Sequence, residues 1–221
     1  MSNAVFLYAK GEVNSHMVEQ VRSDLAHKPR ATRLTLLIDS QGGDIDDAKR
    51  IYQAIRKHPA AIKRATIVNQ CCSAGIIVLL ACDYRRAQAN AKIVLHPTEI
   101  EPAHFNQTGR GRWTAARYAD AAARLQRIDG EILDLMAERT GASRASLASE
   151  DAHERETPLP KAIGLGLIHS ATGFPSRCNA SWPVAARAMS KSGALIGLPT
   201  HFFSEAFFAA CNAAPRHESD E

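Results

Sequence analysis

Three short groups of residues in this chain have the types and spacing that acyl transfer needs. Ser73 stands among small neighbours in Val68-Asn69-Gln70-Cys71-Cys72-Ser73-Ala74-Gly75. The run before it, Arg64-Ala65-Thr66-Ile67-Val68, reads as a buried strand, and the run after it, Ile76 to Ala81, is apolar. A serine where a strand hands over to a buried helix can attack a carbonyl, and a helix N-terminus favours the negative charge that develops. Serine is also a preferred helix cap, so the position alone serves either purpose. Gly42-Gly43 ends the preceding strand. A glycine pair makes a tight turn and lets backbone N–H groups approach a substrate closely. The amides of Gly43 and Ala74 together have the makings of an oxyanion hole. His96 closes a third apolar strand just before Pro97, where it can take a proton from Ser73. The other histidines lie on or beside surface helices, in polar loops, after a strand or in the tail.

These groups need a scaffold that brings strand ends together. Val5–Ala9 reads as a first strand, ended by Lys10-Gly11. A helix to about His27 follows, capped by Asn14 or Ser15, with Val18, Val21 and Leu25 on its apolar face. Leu34–Asp39 is nearly continuous in apolar residues, the pattern of a parallel strand covered on both faces. Ser40–Asp44 reads as a turn and Ile45–Lys57 as an amphipathic helix. After the Ser73 segment, Tyr84–Gln88 reads as a short strand and Ala91–Pro97 as a clearer one. The order β-α-β-α-β-α-β has connections of the length that right-handed crossovers need. Ligands in such folds bind in the crevice at the strand C-termini, which sets Gly43 beside Ser73.

Thr98–Trp113 is polar and Gly-rich and reads as a mobile loop. A long helix then runs from about Thr114 to Arg139, with a stripe through Tyr118, Ala122, Leu125, Ile128, Ile132, Leu135 and Met136. A short helix begins at Ser143, Glu150–Glu156 is acidic and polar, and Pro160–Ile168 reads as one helical turn and a strand. The composition changes after Thr172. We therefore expect one domain over residues 1–172 and a partly disordered extension over 173–221.

With 221 residues, 45% of them hydrophobic, the chain can bury a real core. The net charge of +4 is scattered rather than run together, which points away from nucleic acid. No G-x-G-x-x-G or G-x-x-x-x-G-K occurs, so nucleotide binding is not indicated. The five cysteines are odd in number and include adjacent Cys71-Cys72, the usage of reduced thiols in a cytoplasmic protein without a metal site. The start lacks the pattern of a secretory signal, and no apolar run is long enough to span a bilayer.

Several ordered segments resemble the proteolytic subunit of the Clp protease. Leu36–Gly43 is similar to that family's strand and S-P-G-G turn, and Ile51-Tyr52 to the following helix. Val68–Gly75 resembles its G-Q-A-A-S-M-G segment, Leu79–Cys82 with Arg85-Arg86 its L-L-x-A-G…R, and Ile93–Pro97 its histidine strand. Pro160–Ile168 resembles its late E-A…G-L-I segment, so the likeness spans roughly Val5 to Ser170. Gln41, Asn69 and Cys71-Cys72 depart from the pattern, replacing a proline, a glycine and two alanines; the cysteines crowd the space behind Ser73.

The resemblance implies an α/β protein of the ClpP/crotonase-like fold, with stacked parallel strands, flanking helices and one long oligomerisation helix. It implies a serine endopeptidase without cofactor or metal, working as a homo-oligomeric ring on peptide or unfolded protein delivered by an AAA+ unfoldase. Ser73 would be the nucleophile, His96 the base, and Gly43 and Ala74 the oxyanion donors. The acid stays open. An ungapped count from Gly166 gives Glu154, matching Thr157-Pro158-Leu159 gives Glu156, and Asp151 is a third candidate. Two other readings share the fold: a non-catalytic ring or scaffold subunit, and a crotonase-like acyl-CoA enzyme, which needs no serine–histidine pair.

Overall fold

The computed structural model describes residues 4–99 and 114–172. The loop expected over Thr98–Trp113 lies outside the described residues from Ile100 onward, as does the extension 173–221. In chain order the elements are β1 (Ala4–Val13), α1 (Ser15–His27), β2 (Arg33–Gly43), α2 (Ile45–Lys57), β3 (Ile62–Cys72) and α3 (Ala74–Leu80). They continue with β4 (Tyr84–Ala87), β5 (Lys92–Val94), α4 (Ala115–Thr140), α5 (Arg144–Asp151), α6 (Leu159–Gly164) and β6 (Ser170–Ala171). The strands pair in parallel in the order β1-β2-β3-β4-β6, with β5 joining β3. This is a mixed α/β fold with a parallel sheet flanked by helices, as expected.

β1, β2 and β3 run further than their apolar runs suggest, whereas β5 covers only Lys92–Val94 of the expected Ala91–Pro97. β1 passes through Gly11 with a register slip between Lys10 and Glu12, and β2 continues through the expected turn to Gly43. Local polarity marked Lys10-Gly11 and Ser40–Gly43 as turns, but sheet pairing satisfies their backbone and extends the strands. On the edge away from β2, β3 serves two neighbours. Arg64–Ile67 pairs with β4, while Gln70–Cys72 pairs with β5. Between these halves the β2–β3 register jumps from Ile38↔Ile67 to Ser40↔Cys71. A slip of this kind bends and twists a strand. Its consequence is that the end of β3, which carries Ser73, lies beside the end of β5, which leads to His96.

Leu34, Leu36 and Ile38 of β2 are wholly buried, while Thr35, Leu37 and Asp39 between them are half-buried. On β1 the alternation is sharper: Val5 and Leu7 are buried, but Phe6 and Tyr8 are about half exposed (55% and 51%). The strands are therefore packed tightly on one face and open on the other, rather than covered on both. The closed face meets α1 and α2. α3 packs between α2 and strands β2 and β3, and every one of its residues is buried. A helix apolar all round belongs inside a core. Each buried Ile or Leu there contributes roughly 1.5–3 kcal/mol.

Asn14 caps α1, Asp44 caps α2, Thr114 caps α4 and Ser143 caps α5, each through a side-chain oxygen accepting a backbone N–H. Gly141 stops α4 in the left-handed conformation that glycine adopts without strain. Along α4 the expected apolar stripe is covered only towards its C-terminal end. Met136 is buried and Ile132 and Leu135 pack on the core, whereas Tyr118 is 58% exposed. The late segments are tied to the sheet by Arg85 of β4, a buried guanidinium. It donates to the carbonyls of Cys82, Arg139, Gly166 and Leu167.

Candidate active site

Ser73 occupies the N-cap position of α3, yet its hydroxyl makes no capping bond. Its backbone has φ 51° and ψ −127°, a sparsely populated region for a residue with a side chain. Two backbone bonds hold it there: its N–H donates to the Val94 carbonyl at 3.0 Å, and its carbonyl accepts from Ile76 N–H at 2.9 Å. Strain of this kind persists where the surroundings over-determine it, and it is common at catalytic positions.

The glycine turn forms the seat. Gly42 has φ 104°, and a Cβ there would lie 2.6 Å from the Ser73 Cβ and 3.2 Å from its Oγ. Only glycine lets β2 pass so close to the serine. The Gly42 N–H is taken by the buried Ser40 hydroxyl at 3.1 Å, which stiffens the turn from beneath. Gly43, at φ 143°, abuts β1, where an added Cβ would meet the Val13 carbonyl at 2.3 Å. Behind the serine, burial pushes the Cys71 thiol well above its ordinary range, with the neighbouring Cys72 adding to the effect. Burial raises Cys72 as well. Both therefore stay protonated at neutral pH and act as small apolar groups rather than as nucleophiles.

A cavity of about 230 Å³ opens over this turn. Gly43, Ser73, Ala74, His96 and Asp151 line it on the polar side. Ile45, Ile76, Ile77, Leu95, Ile132 and Met136 supply its apolar wall. Of the expected site residues, the fold thus brings together both oxyanion candidates, the serine, the histidine and one of the three acids. Glu154 and Glu156 are exposed and do not line the cavity; Glu156 instead pairs its backbone with Val94.

His96 follows the buried Leu95. Its Nδ1 lies 2.8 Å from the Pro97 carbonyl and 3.6 Å from Glu99 Oε1. A carbonyl oxygen only accepts, so this bond puts the ring proton on Nδ1 and leaves Nε2 as the basic nitrogen. His96 and Ser73 share the cavity without a direct hydrogen bond among the described residues. Asp151 is the last residue of α5. Partial burial, then the nearby Asp129 and Glu154 charges, raise its carboxyl to about 6, and only His96 works in the other direction.

Sequence reasoning missed three residues at this site: Ser40, Thr98 and Asp129. Ser40 looked like an ordinary turn residue. Asp129 had a legible signal, since Leu125, Asp129, Ile132 and Met136 follow one another at helical spacing and put a carboxylate on the apolar stripe of α4.

A parallel-stranded α/β scaffold with this serine–histidine cavity at its strand ends places the chain in a definite class. The family model for Clp protease matches residues 1–172, and the chain belongs to that family. Among solved structures it is similar to a mutant of ClpP1 from Listeria monocytogenes, at 21% identity and a TM-score of 0.61, covering 76% of this chain and 91% of that one. No curated relative matches. Among the described residues no helix is long and apolar enough to cross a membrane, and no group of three or more His, Cys, Asp and Glu could hold a metal ion.

Proposed function

We propose that this chain is a serine endopeptidase of the Clp type. The observation that carries the reading is the shared cavity of Ser73, His96, Asp151, Gly43 and Ala74. Ser73 Oγ attacks the peptide carbonyl while His96 Nε2 takes its proton. The proton then passes to the leaving amine, and water hydrolyses the acyl-enzyme by the reverse route. The Gly43 and Ala74 amides receive the oxyanion. Asp151 is the carboxylate whose charge faces the imidazole, in preference to Glu154 and Glu156. The gap between Ser73 and His96 closes when substrate fills the cavity, as catalytic hydrogen bonds commonly tighten on binding.

The exposed N-terminal half of α4 and the family membership support a ring of identical subunits, with an ATP-driven unfoldase supplying protein in the cytoplasm. Residues 1–172 form the peptidase domain in this reading.

A fluorophosphonate probe tests the chemistry. Labelling should vanish in Ser73→Ala and fall at least about 100-fold in His96→Ala. It should also weaken in Asp151→Asn but not in Glu154→Gln. An assembled, folded protein that takes no label would be a non-catalytic ring subunit. Acyl-CoA turnover that survives Ser73→Ala would establish the crotonase-like alternative.

A further inference from the structure

We infer that Asp129, on α4, is a positioning residue for the general base, acting on His96 through the Pro97–Thr98 peptide bond. This rests on the serine-peptidase reading above.

Thr98 N–H donates to Asp129 Oδ1 at 2.7 Å. The Pro97 carbonyl accepts from His96 Nδ1 at 2.8 Å. These two groups belong to one peptide unit. The chain of contacts therefore runs from the His96 ring proton to the Pro97 carbonyl, across the peptide plane to the Thr98 amide, and on to the Asp129 carboxylate. A peptide unit is planar and conjugated, so pinning its N–H fixes the direction of its C=O. Pro97 adds stiffness, because its ring fixes φ between the histidine and that peptide. A charged acceptor makes the shorter and stronger bond, and it polarises the carbonyl at the other end.

The arrangement answers a question left by the cavity. In a serine–histidine–acid set the acid normally orients the ring by accepting from Nδ1. Here Nδ1 is taken by a backbone carbonyl, and Asp151 acts on the ring by charge alone. Glu99 Oε1, 3.6 Å from Nδ1, is beyond hydrogen-bond reach and largely in solvent. The orienting carboxylate is then Asp129, one peptide removed. Its charge has a second effect, because Asp129 also faces Asp151. Across the packed elements the groups facing Asp151 are Asp129 from α4, His96 after β5 and Glu154 after α5. Of the two carboxylates, Asp129 presses the proton harder onto Asp151.

Two substitutions separate these effects. Asp129→Asn keeps an oxygen for the Thr98 amide and removes the charge, whereas Asp129→Ala removes both. Fluorophosphonate labelling of Ser73 should slow roughly 10- to 100-fold in Asp129→Ala, the scale that small misplacement of a reacting group costs. Asp129→Asn should recover most of that rate on the alkaline plateau, with the acid limb of its pH profile moved to lower pH. Ring 15N NMR should show His96 held as the Nδ1–H tautomer in the wild type and Asp129→Asn, and as a tautomer mixture in Asp129→Ala. Wild-type labelling rates in Asp129→Ala, or an unchanged tautomer in that variant, would overturn the inference. If wild-type protein takes no label, the peptidase reading fails and the catalytic role of Asp129 fails with it. The NMR then reports the peptide relay separately. Circular dichroism on each variant distinguishes an unfolded protein from a misdirected histidine.

Discussion

At the scale of single residues, the site depends on backbone that only glycine supplies. Ser73 is held at φ 51° by its backbone bonds to Val94 and Ile76, and β2 can cross within contact distance of it because Gly42 has no side chain. Gly42→Ala would put a methyl 2.6 Å from the Ser73 Cβ and 3.0 Å from the Cys72 carbonyl, in a backbone conformation that alanine resists. We expect probe labelling to drop at least about 100-fold and stability to fall by about 1–3 kcal/mol. Labelling rates and urea unfolding check this, and an alanine variant with full labelling would show that the serine does not need its seat. This much of the site was legible. A Gly-Gly turn, a serine between small residues and a histidine before proline can all be read in order along the chain. Which acid candidate lines the cavity could not be read, because the position of Asp151 depends on how α5 ends against α4 and not on spacing from Gly166.

At the scale of elements, Arg85 ties several parts of the late chain together. Arg85 leaves β4 and gathers carbonyls from before β4, from the end of α4 and from the approach to β6. Burial lowers its guanidinium to about 10, with Arg139 adding to the effect, and it remains charged at neutral pH. Arg85→Leu would fill part of the volume and take this donor from all four carbonyls, of which Cys82 keeps a 3.4 Å bond from Arg139. A loss on the order of 3 kcal/mol or more follows, because each buried acceptor left unsatisfied costs about 1–3 kcal/mol. Thermal unfolding measures it, and a melting temperature within a degree or so of wild type would contradict the clamp. The apolar helices and most strands follow from hydrophobic period, but this clamp has no period. The Arg85-Arg86 pair was legible only as part of a resemblance, with no role attached to it.

At the scale of the whole molecule, the charge in the cavity sets a pH dependence. The Asp151 carboxyl stands at about 6 in the fold, above its ordinary 3.8. The native state therefore binds that proton better than the unfolded chain does. The resulting contribution to stability is full below about 3.8 and is lost as pH rises through about 6. Asp151→Asn imitates the protonated form. It should leave stability unchanged near pH 3.5 and raise it near pH 7.5, by at most about 1 kcal/mol once solvent screening of a half-exposed group is allowed for. The same variant should label more slowly, a trade of function against stability common at active sites. Denaturant titrations at the two pH values test it, and a gain at acid pH alone would reverse the sign argued here.

Local sequence determined what neighbours along the chain can determine. Hydrophobic period marked the helices, β-branched runs the strands, and Gly, Pro and cap residues most of the boundaries. Those signals also put Gly43, Ser73, Ala74 and His96 at the ends of elements where chemistry is accessible. Tertiary structure decided what depends on contacts between distant segments. Where the β2–β3 register slips, the other edge of β3 changes partner from β4 to β5, which sets Ser73 beside the strand of His96. One sheet face stays open: Phe6 and Tyr8 of β1 are exposed, and in β2, whose apolar run suggested cover on both faces, Leu37 is only half-buried. Packing of α4 and α5 against the cavity set Asp151 in its wall, and a peptide between β5 and α4 tied His96 to Asp129. Spacing fixes distance only within an element; between elements, distance is set by how side chains pack.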